Sequence, residues 1–407
     1  MRILIVSYGY PPREPRVWTY HLAQALGKRH QLWLYVPARD GGIPNFAEWD
    51  ERVGSSYVRR VVNNISAPWD WFGYERIPQI EQQFVSFVRE VQPDVVHFEL
   101  LTGTSVTLPA YTRQFGIPSV HSFYDHSWVC PRIHLVRPDY TTCPGPSHAF
   151  DCVTCVEGGQ TNQPDSWRLV LHDSRLQLQR TLLDSSTMLT TCSGYLRDYM
   201  SSVFQISPER FRVIPLGLTG MPPQKEVRPA GDKVNICYLG SIVPYKGIHV
   251  LIQAAKRLQD LPIEVRIHGE VLYPPYMDEL RELDDTIMYA GSYHPDQLTK
   301  VLSQADILVL PSLAPETFSF VIREAALAGV PVVASRIGAI PEFIEHGQNG
   351  LLVSPGSVDE LAAALRQLVL DPALRARLAA SHPPIRSTED YATEMEEIYY
   401  EISASNR

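Results

Sequence analysis

The chain has 407 residues, 44% of them apolar and 20% charged, with a formal net charge of -9. That length sets a prior of about two or three domains with an ample core, and the acidic balance argues against a nucleic-acid binder, which is normally basic. No segment approaches the roughly eighteen apolar residues of a spanning helix. Met1-Arg2 leads directly into a strand without a secretory leader pattern, so the expected location is cytoplasmic, with local basic patches left to meet a membrane surface peripherally.

Residues 2–8 (R-I-L-I-V-S-Y) form a buried-strand candidate, closed by the breaker run Gly9 to Pro12. Val17 to Lys28 has helical spacing, and Leu32 to Val36 reads as the next strand. The first turn lacks the G-x-G-x-x-G of a dinucleotide site. Residues 40–76 show no clear period and read as loop-dominated. Their aromatics (Trp49, Trp69, Trp71, Phe72, Tyr74) are expected mainly in core packing, with an acceptor groove as the alternative. A helix from about Pro78 to Val91 and strands at Asp94 to Phe98 and Ser119 to Phe123 continue an alternating β/α pattern. That alternation predicts a parallel, doubly wound sheet.

Cys130, Cys143, Cys152 and Cys155 follow as C-x12-C-x8-C-x2-C in a Pro-rich stretch. This spacing suits a tetrahedral sulfur site holding zinc, or an iron–sulfur cluster on the same four thiolates; disulfides and free thiols are the alternatives. Cys192 and Cys237 lie in apolar runs and are expected in the core. Ser166 to Leu183 reads as a helix, Met188 to Ser193 and Arg212 to Pro215 as strands, and Leu216 to Gly231 as a linker.

A second sheet is expected from Val234 to Leu239, followed by Gly240-Ser241 and then Lys246-Gly247 before an amphipathic helix from Ile248. A glycine turn after a strand lets phosphate approach the backbone, and Lys246 sets a cation beside it. Ile263 to His268 ends at Gly269-Glu270, a turn of nucleotide-facing type. The run Asp306 to Leu310 reads as a buried strand, and Thr317 to Ala328 as a helix. The first N–H groups of that helix, about Thr317, Phe318, Ser319 and Phe320, would face an anion at the strand end. Glu316 stands beside this cradle, and Glu324, eight residues on, could accept bonds from two ribose hydroxyls. The last helix, near Glu389 to Ser403, carries spaced apolar residues.

P-E-T-F-S-F-V-I-R-E-A-A-L-A-G-V-P-V-V-A-S and G-A-I-P-E-F-I-E-H-G-Q-N-G-L-L-V resemble the donor block of the retaining family 4 glycosyltransferases, whose motif is Glu, seven residues, Glu. S-Y-G-Y-P-P and H-L-A-Q-A-L resemble that family's opening strand and helix. The resemblance, to a subset with a four-cysteine insertion, implies an α/β fold of the GT-B type: two Rossmann-like doubly wound parallel sheets facing a central cleft. Residues 1–215 would form the acceptor-side domain, with a Cys-rich insertion at about 126–160. Residues 216–386 would bind the donor, and 387–407 would form a helix crossing back to the first domain.

The implied reaction moves a sugar from a nucleotide-sugar (UDP, GDP or another base) to a hydroxyl of a glycan, lipid-linked or small-molecule acceptor, keeping the anomeric configuration. Glu316 would hold sugar hydroxyls, Lys246 the diphosphate, and Glu324 the ribose. Three positions depart from the family pattern. Arg13-Glu14 replaces a glycine pair, so Arg13 and Arg16 are acceptor-side candidates for an acidic group. Tyr124, a further acceptor-side candidate, stands where a histidine is expected; Asp125 fits the family's Asp and His126 is the substitute for the histidine, both as catalytic candidates. Ser241 replaces a diphosphate-binding arginine. An epimerase of the same fold, or a catalytically decayed, metal-stapled binding protein, are the rival readings.

Overall fold

Short apolar runs become buried parallel strands, and the charged or aromatic stretches between them become the helices and turns that position the site. The computed structural model of the chain describes residues 1–10, 18–64, 76–146, 149–156, 166–220, 233–284 and 287–405, the side chains of 166–168 and 171 excepted. The chain divides into two compact units.

The first unit comprises Met1–Ile133, Pro144–Thr219 and Arg386–Arg407. Its strands are β1 (Arg2–Val6), β2 (Gln31–Ala38), β3 (Glu48–Val53), β4 (Ser56–Val62), β5 (Val95–Phe98), β6 (Ser119–Phe123), β7 (Met188–Thr191) and β8 (Phe211–Val213). They are ordered β3-β4-β2-β1-β5-β6-β7-β8, parallel throughout except for the β3–β4 hairpin. All four residues of β5, Val-Val-His-Phe, are buried, as expected for a strand covered on both faces.

That hairpin overturns the loop reading of residues 40–76. Glu48 to Val53 is an edge strand whose Glu51 and Asp50 pair with Arg60 and Arg59 of β4. Charges on an edge strand block further pairing, and they hide the strand from an apolar-period search. Trp69, Trp71, Phe72 and Tyr74 lie outside the described residues.

The C-terminal helix Thr388–Ala404 is part of this first unit. It buries Tyr391, Met395, Ile398 and Tyr399 there, each apolar side chain contributing roughly 1.5–3 kcal/mol relative to exposure. Tyr399 Oη lies 2.7 Å from Nδ1 of the buried His97 of β5, whose Nε2 lies 2.7 Å from Ser122 Oγ on β6.

The second unit comprises Gly220–Ile385 and, from far upstream, His134–Cys143. Its strands are β9 (Val234–Leu239), β10 (Ile263–His268), β11 (Met288–Gly291), β12 (Ile307–Leu310), β13 (Val332–Ser335) and β14 (Leu351–Val353). They form an all-parallel sheet in the order β11-β10-β9-β12-β13-β14. Alternate strand residues serve opposite faces. Ile236, Tyr238, Ile307 and Val309 pack with Leu251 and Leu365 in one cluster. Cys237, Leu239, Leu308 and Leu310 pack with Ile322 and Ala325 in the other. Among the described residues no helix is long and apolar enough to cross a membrane.

Candidate functional site

Counting from β9, the second sheet runs 3-2-1-4-5-6, the doubly wound order whose direction reverses between strands 1 and 4. Here those strands are β9 and β12. Ligands of such sheets bind outside the carboxyl ends of the strands at that reversal. Gly240 and Ser241 continue from β9, and Pro311 to Glu316 continue from β12. A Cβ on Gly269, after β10, would stand 1.7 Å from the Gly240 carbonyl oxygen. Only glycine permits the two turns to stack so closely. Ser241 is half-buried, and its carbonyl accepts the Tyr238 hydroxyl at 2.8 Å.

Lys246 ends a 3₁₀ turn, Pro244–Lys246, and its Nζ donates to Glu316 Oε1 at 2.6 Å. Ser312 Oγ donates to the same oxygen at 2.6 Å. Two backbone features fix this pair. Leu313 N and Ala314 N donate to the Tyr245 carbonyl at 2.9 and 3.1 Å, stitching the lysine turn to the glutamate loop. On the other side Ala339 N donates to the Glu316 carbonyl at 2.7 Å. Gly338, at φ 58°, lies so close that a Cβ would stand 2.2 Å from that carbonyl oxygen. The Lys246 and Glu316 side chains are 24% and 13% exposed. Burial pushes the Glu316 carboxyl up, but the Lys246 charge and hydrogen bond, the Ser312 bond and the His134 charge outweigh it and hold it below its ordinary value. The carboxylate is ionised and can accept hydrogen bonds from hydroxyl groups.

The helix after β12 spans Phe320–Leu327, three residues later than its composition predicts. Ser319, at φ 60° and ψ 88°, breaks the regular backbone and occupies the cap position without capping. Its Oγ is buried and has no hydrogen-bond partner. The amide cradle therefore begins at Phe320, and its first turn is not satisfied by the side chain that normally does so. Strain at a non-glycine residue of this kind is typical of ligand-contacting turns. Phe318 is buried, its ring under the Arg323 guanidinium at 3.7 Å, so it offers backbone and not a ring face. Thr317 and Glu324 are half-buried, Glu324 as the fifth residue of the helix.

The first unit has its own switch point, between β1 and β5, and there stands Glu99, which the sequence reading did not single out. It follows Phe98 of β5, is 1% exposed, and accepts from Thr19 and from Tyr124 Oη at 3.0 Å. Burial pushes its carboxyl up to about 7, against the pull of Thr19, Ser7 and Tyr124. An ionisable residue directly after the strand run Val95–Phe98 was the available signal.

Tyr124, an acceptor-side candidate, instead turns inward. It is 6% exposed, and its hydroxyl lies 3.0 Å from that of Tyr391 as well as bonding Glu99. His126 is also packed away, 2% exposed, with Nε2 3.1 Å from Tyr195 Oη and its ring against Tyr199. Asp125 is half-buried two residues beyond β6 and accepts from Ser127 N at 2.8 Å. Burial raises its carboxyl above the ordinary value despite the Ser127 bonds. Arg13 and Arg16 lie outside the described residues.

The expected zinc or iron–sulfur site falls on four cysteines that lie within the described residues. Among the described residues no three His, Cys, Asp or Glu side chains gather as ligands. Cys130 lies in the turn after β6, Cys152 and Cys155 lie on the helix Ala149–Val156, and Cys143 belongs to the second unit.

Residues 16–219 match the family model described as Glycosyltransferase Family 4, and residues 223–382 match Glycosyl transferases group 1. Glycogen synthase of Mycobacterium tuberculosis (strain ATCC 25618 / H37Rv) is 31% identical over 409 residues, covering 97% of this chain and 92% of that protein. The D-inositol 3-phosphate glycosyltransferase of Corynebacterium urealyticum is 25% identical over 366 residues, covering 84% and 80%. Among solved structures, sucrose-phosphate synthase from Thermosynechococcus elongatus superposes with a TM-score of 0.72 at 19% identity, covering 99% of each chain. Anabaena Alr3699/HepE in complex with UDP gives 0.66 at 18% identity, covering 100% of this chain and 99% of that one. These neighbours share the two-sheet α/β architecture. The chain belongs to the family 4 glycosyltransferases, enzymes of the GT-B fold.

Proposed function

We infer that the enzyme moves a sugar from a nucleoside diphosphate donor to a hydroxyl of a glycan, lipid-linked or small-molecule acceptor, with retention at the anomeric carbon. The observation that carries this reading is the Lys246–Glu316 pair at the β9/β12 switch point, beside the uncapped start of the helix Phe320–Leu327. The departing diphosphate develops negative charge as the sugar bond breaks. Preorganised N–H groups and a fixed ammonium stabilise such charge without reorganising. Lys246 serves the diphosphate, with Gly240, Ser241 and Gly269 letting it approach the backbone. Glu316, held ionised, accepts from sugar hydroxyls as they become more acidic next to a cationic ring. Glu324 accepts from the ribose hydroxyls, while Thr317 and Ser319 flank the phosphates.

In the front-face route the leaving phosphate oxygen takes the acceptor proton on the side from which it departs. The acceptor oxygen then bonds the anomeric carbon on that same side, so the configuration is kept. Asp125, half-buried two residues beyond β6, is the acceptor-side carboxylate of this reading. The UDP complex of the Anabaena fold neighbour supports a nucleotide donor. The relative named a D-inositol 3-phosphate glycosyltransferase supports a polyol-type acceptor.

The test is a calorimetric screen of UDP, GDP, ADP and dTDP and their sugars, followed by NMR of the product anomer. Saturable binding that is lost in Lys246→Ala and Glu316→Gln is expected. Inverted product stereochemistry, or indifference to every nucleotide, overturns the proposal.

A further inference from the structure

Residues 134–143 leave the Cys-rich stretch and pack with the second unit. They form a small hairpin: Val136 bridges Thr142, Arg137 N donates to Thr141 O at 2.9 Å, and Cys143 N to Leu135 O at 2.7 Å. Thr142 Oγ1 anchors it to the Leu313 carbonyl at 3.0 Å, on the same loop that carries Ser312 and Glu316. At its base the His134 ring stacks on Tyr245, centroids 4.1 Å apart and planes 25° apart, one residue from Lys246. Ile133 and Leu135, on either side of His134, hold φ values of 71° and 53°. These are costly for non-glycine residues, doubly so for a β-branched one. The fold thus spends strain to set this imidazole beside the Lys246–Glu316 pair.

Charge explains the gain. Lys246 and Glu316 neutralise one another, so the pair alone presents no net charge to a polyanion. A protonated imidazole alongside makes the group net cationic. We propose that His134 is a further binding residue for the donor's diphosphate, contributed by the inserted hairpin and held by its stack on Tyr245; this rests on the nucleotide-sugar reading above. The charged and titratable groups around it are Glu316 and Lys246 from the strand-end loops and Tyr245 from the 3₁₀ turn. Farther along the hairpin are Arg137, Asp139 and Tyr140, the last within electrostatic reach of Tyr276 on the helix Pro274–Leu283. His134 already contributes to holding Glu316 ionised.

The experiment is titration calorimetry of the full chain with UDP and GDP, at about pH 6 and about pH 8, where an ordinary imidazole changes charge. Wild type is expected to bind more tightly at the lower pH. His134→Phe keeps the stack but not the charge, and should bind about tenfold more weakly at the lower pH, with little loss at the higher. Lys246→Ala should weaken binding at both. If His134→Phe is not folded by circular dichroism, His134→Gln gives the same reading. A folded neutral variant with wild-type affinity at both pH values overturns the role of His134, while loss in Lys246→Ala leaves the donor-site reading standing. Failure of wild type to bind any nucleotide overturns both.

Discussion

Lys246 and Ser312 converge on one oxygen of Glu316, each at 2.6 Å. This pair holds the carboxyl below its ordinary value of 4.5 despite burial. A depressed folded value stabilises the native state above the unfolded pKa, and that stabilisation is lost as pH falls through the folded value. Wild type should therefore lose stability through this group as pH falls below the ordinary carboxylate value. Lys246→Met removes the largest opposition to burial, leaving only Ser312 and His134, and should show a weaker acid loss at its urea midpoints, together with sugar transfer reduced about a hundredfold or more. Parallel pH profiles for the two proteins would refute the coupling.

Glu99 titrates in the opposite sense. Its folded value of about 7 stands above its ordinary 4.5. Between those values the native state holds a proton that the unfolded chain has released, so stability falls as pH rises through this window. Glu99→Gln keeps the hydrogen-bonding shape without the charge. Its stability relative to wild type should grow from pH 5 to pH 8, by up to about 3 kcal/mol. Guanidinium midpoints at the two pH values check this, and a constant difference would mean that Glu99 stays ionised when buried.

Ser319 carries left-handed backbone and an unpartnered buried hydroxyl. Ser319→Gly removes the steric cost at the price of a more flexible unfolded chain, so the expected net change is small, within about 1 kcal/mol. If the hydroxyl flanks the phosphates as proposed, affinity for nucleotide should fall by more than that stability change accounts for. A variant with unaltered nucleotide affinity would show that the side chain only fills space.

Tyr399→Phe leaves His97 Nδ1 without its 2.7 Å partner at a fully buried position. A loss of about 1–3 kcal/mol is expected, read from thermal unfolding. It should exceed the loss from Tyr400→Phe, since Tyr400 is half exposed.

The sheet architecture was legible because parallel strands buried on both faces leave continuous apolar runs, as at Ile307–Leu310 and Val332–Ser335. The β3–β4 hairpin was not read, because Glu48, Asp50, Glu51 and Arg52 mask its alternation. The Val53-Gly54-Ser55-Ser56 turn was the missed signal, Gly54 sitting at φ 59°. The helix after β12 starts later than its composition suggests because Ser319 takes left-handed backbone, a conformation that a non-glycine residue seldom adopts and that composition does not reveal. The motifs assign Lys246 and Glu316 to one donor site, but their direct ion pair, seventy residues apart in the chain, appears only in the structure. The inward turn of Tyr124 toward Glu99 was not legible either, since it depends on a helix more than two hundred residues downstream.

The helix Thr388–Ala404 completes the core of the unit that begins with β1. On the ribosome that core therefore waits while residues 220–387 are made, for roughly ten to thirty seconds at ~5–20 residues per second. Residues 220–385, by contrast, emerge as one uninterrupted stretch after their hairpin partner 134–143 is already available. The sheet translated first is the one finished last, and until then the side chains that pack against Tyr391, Met395 and Tyr399 stay uncovered.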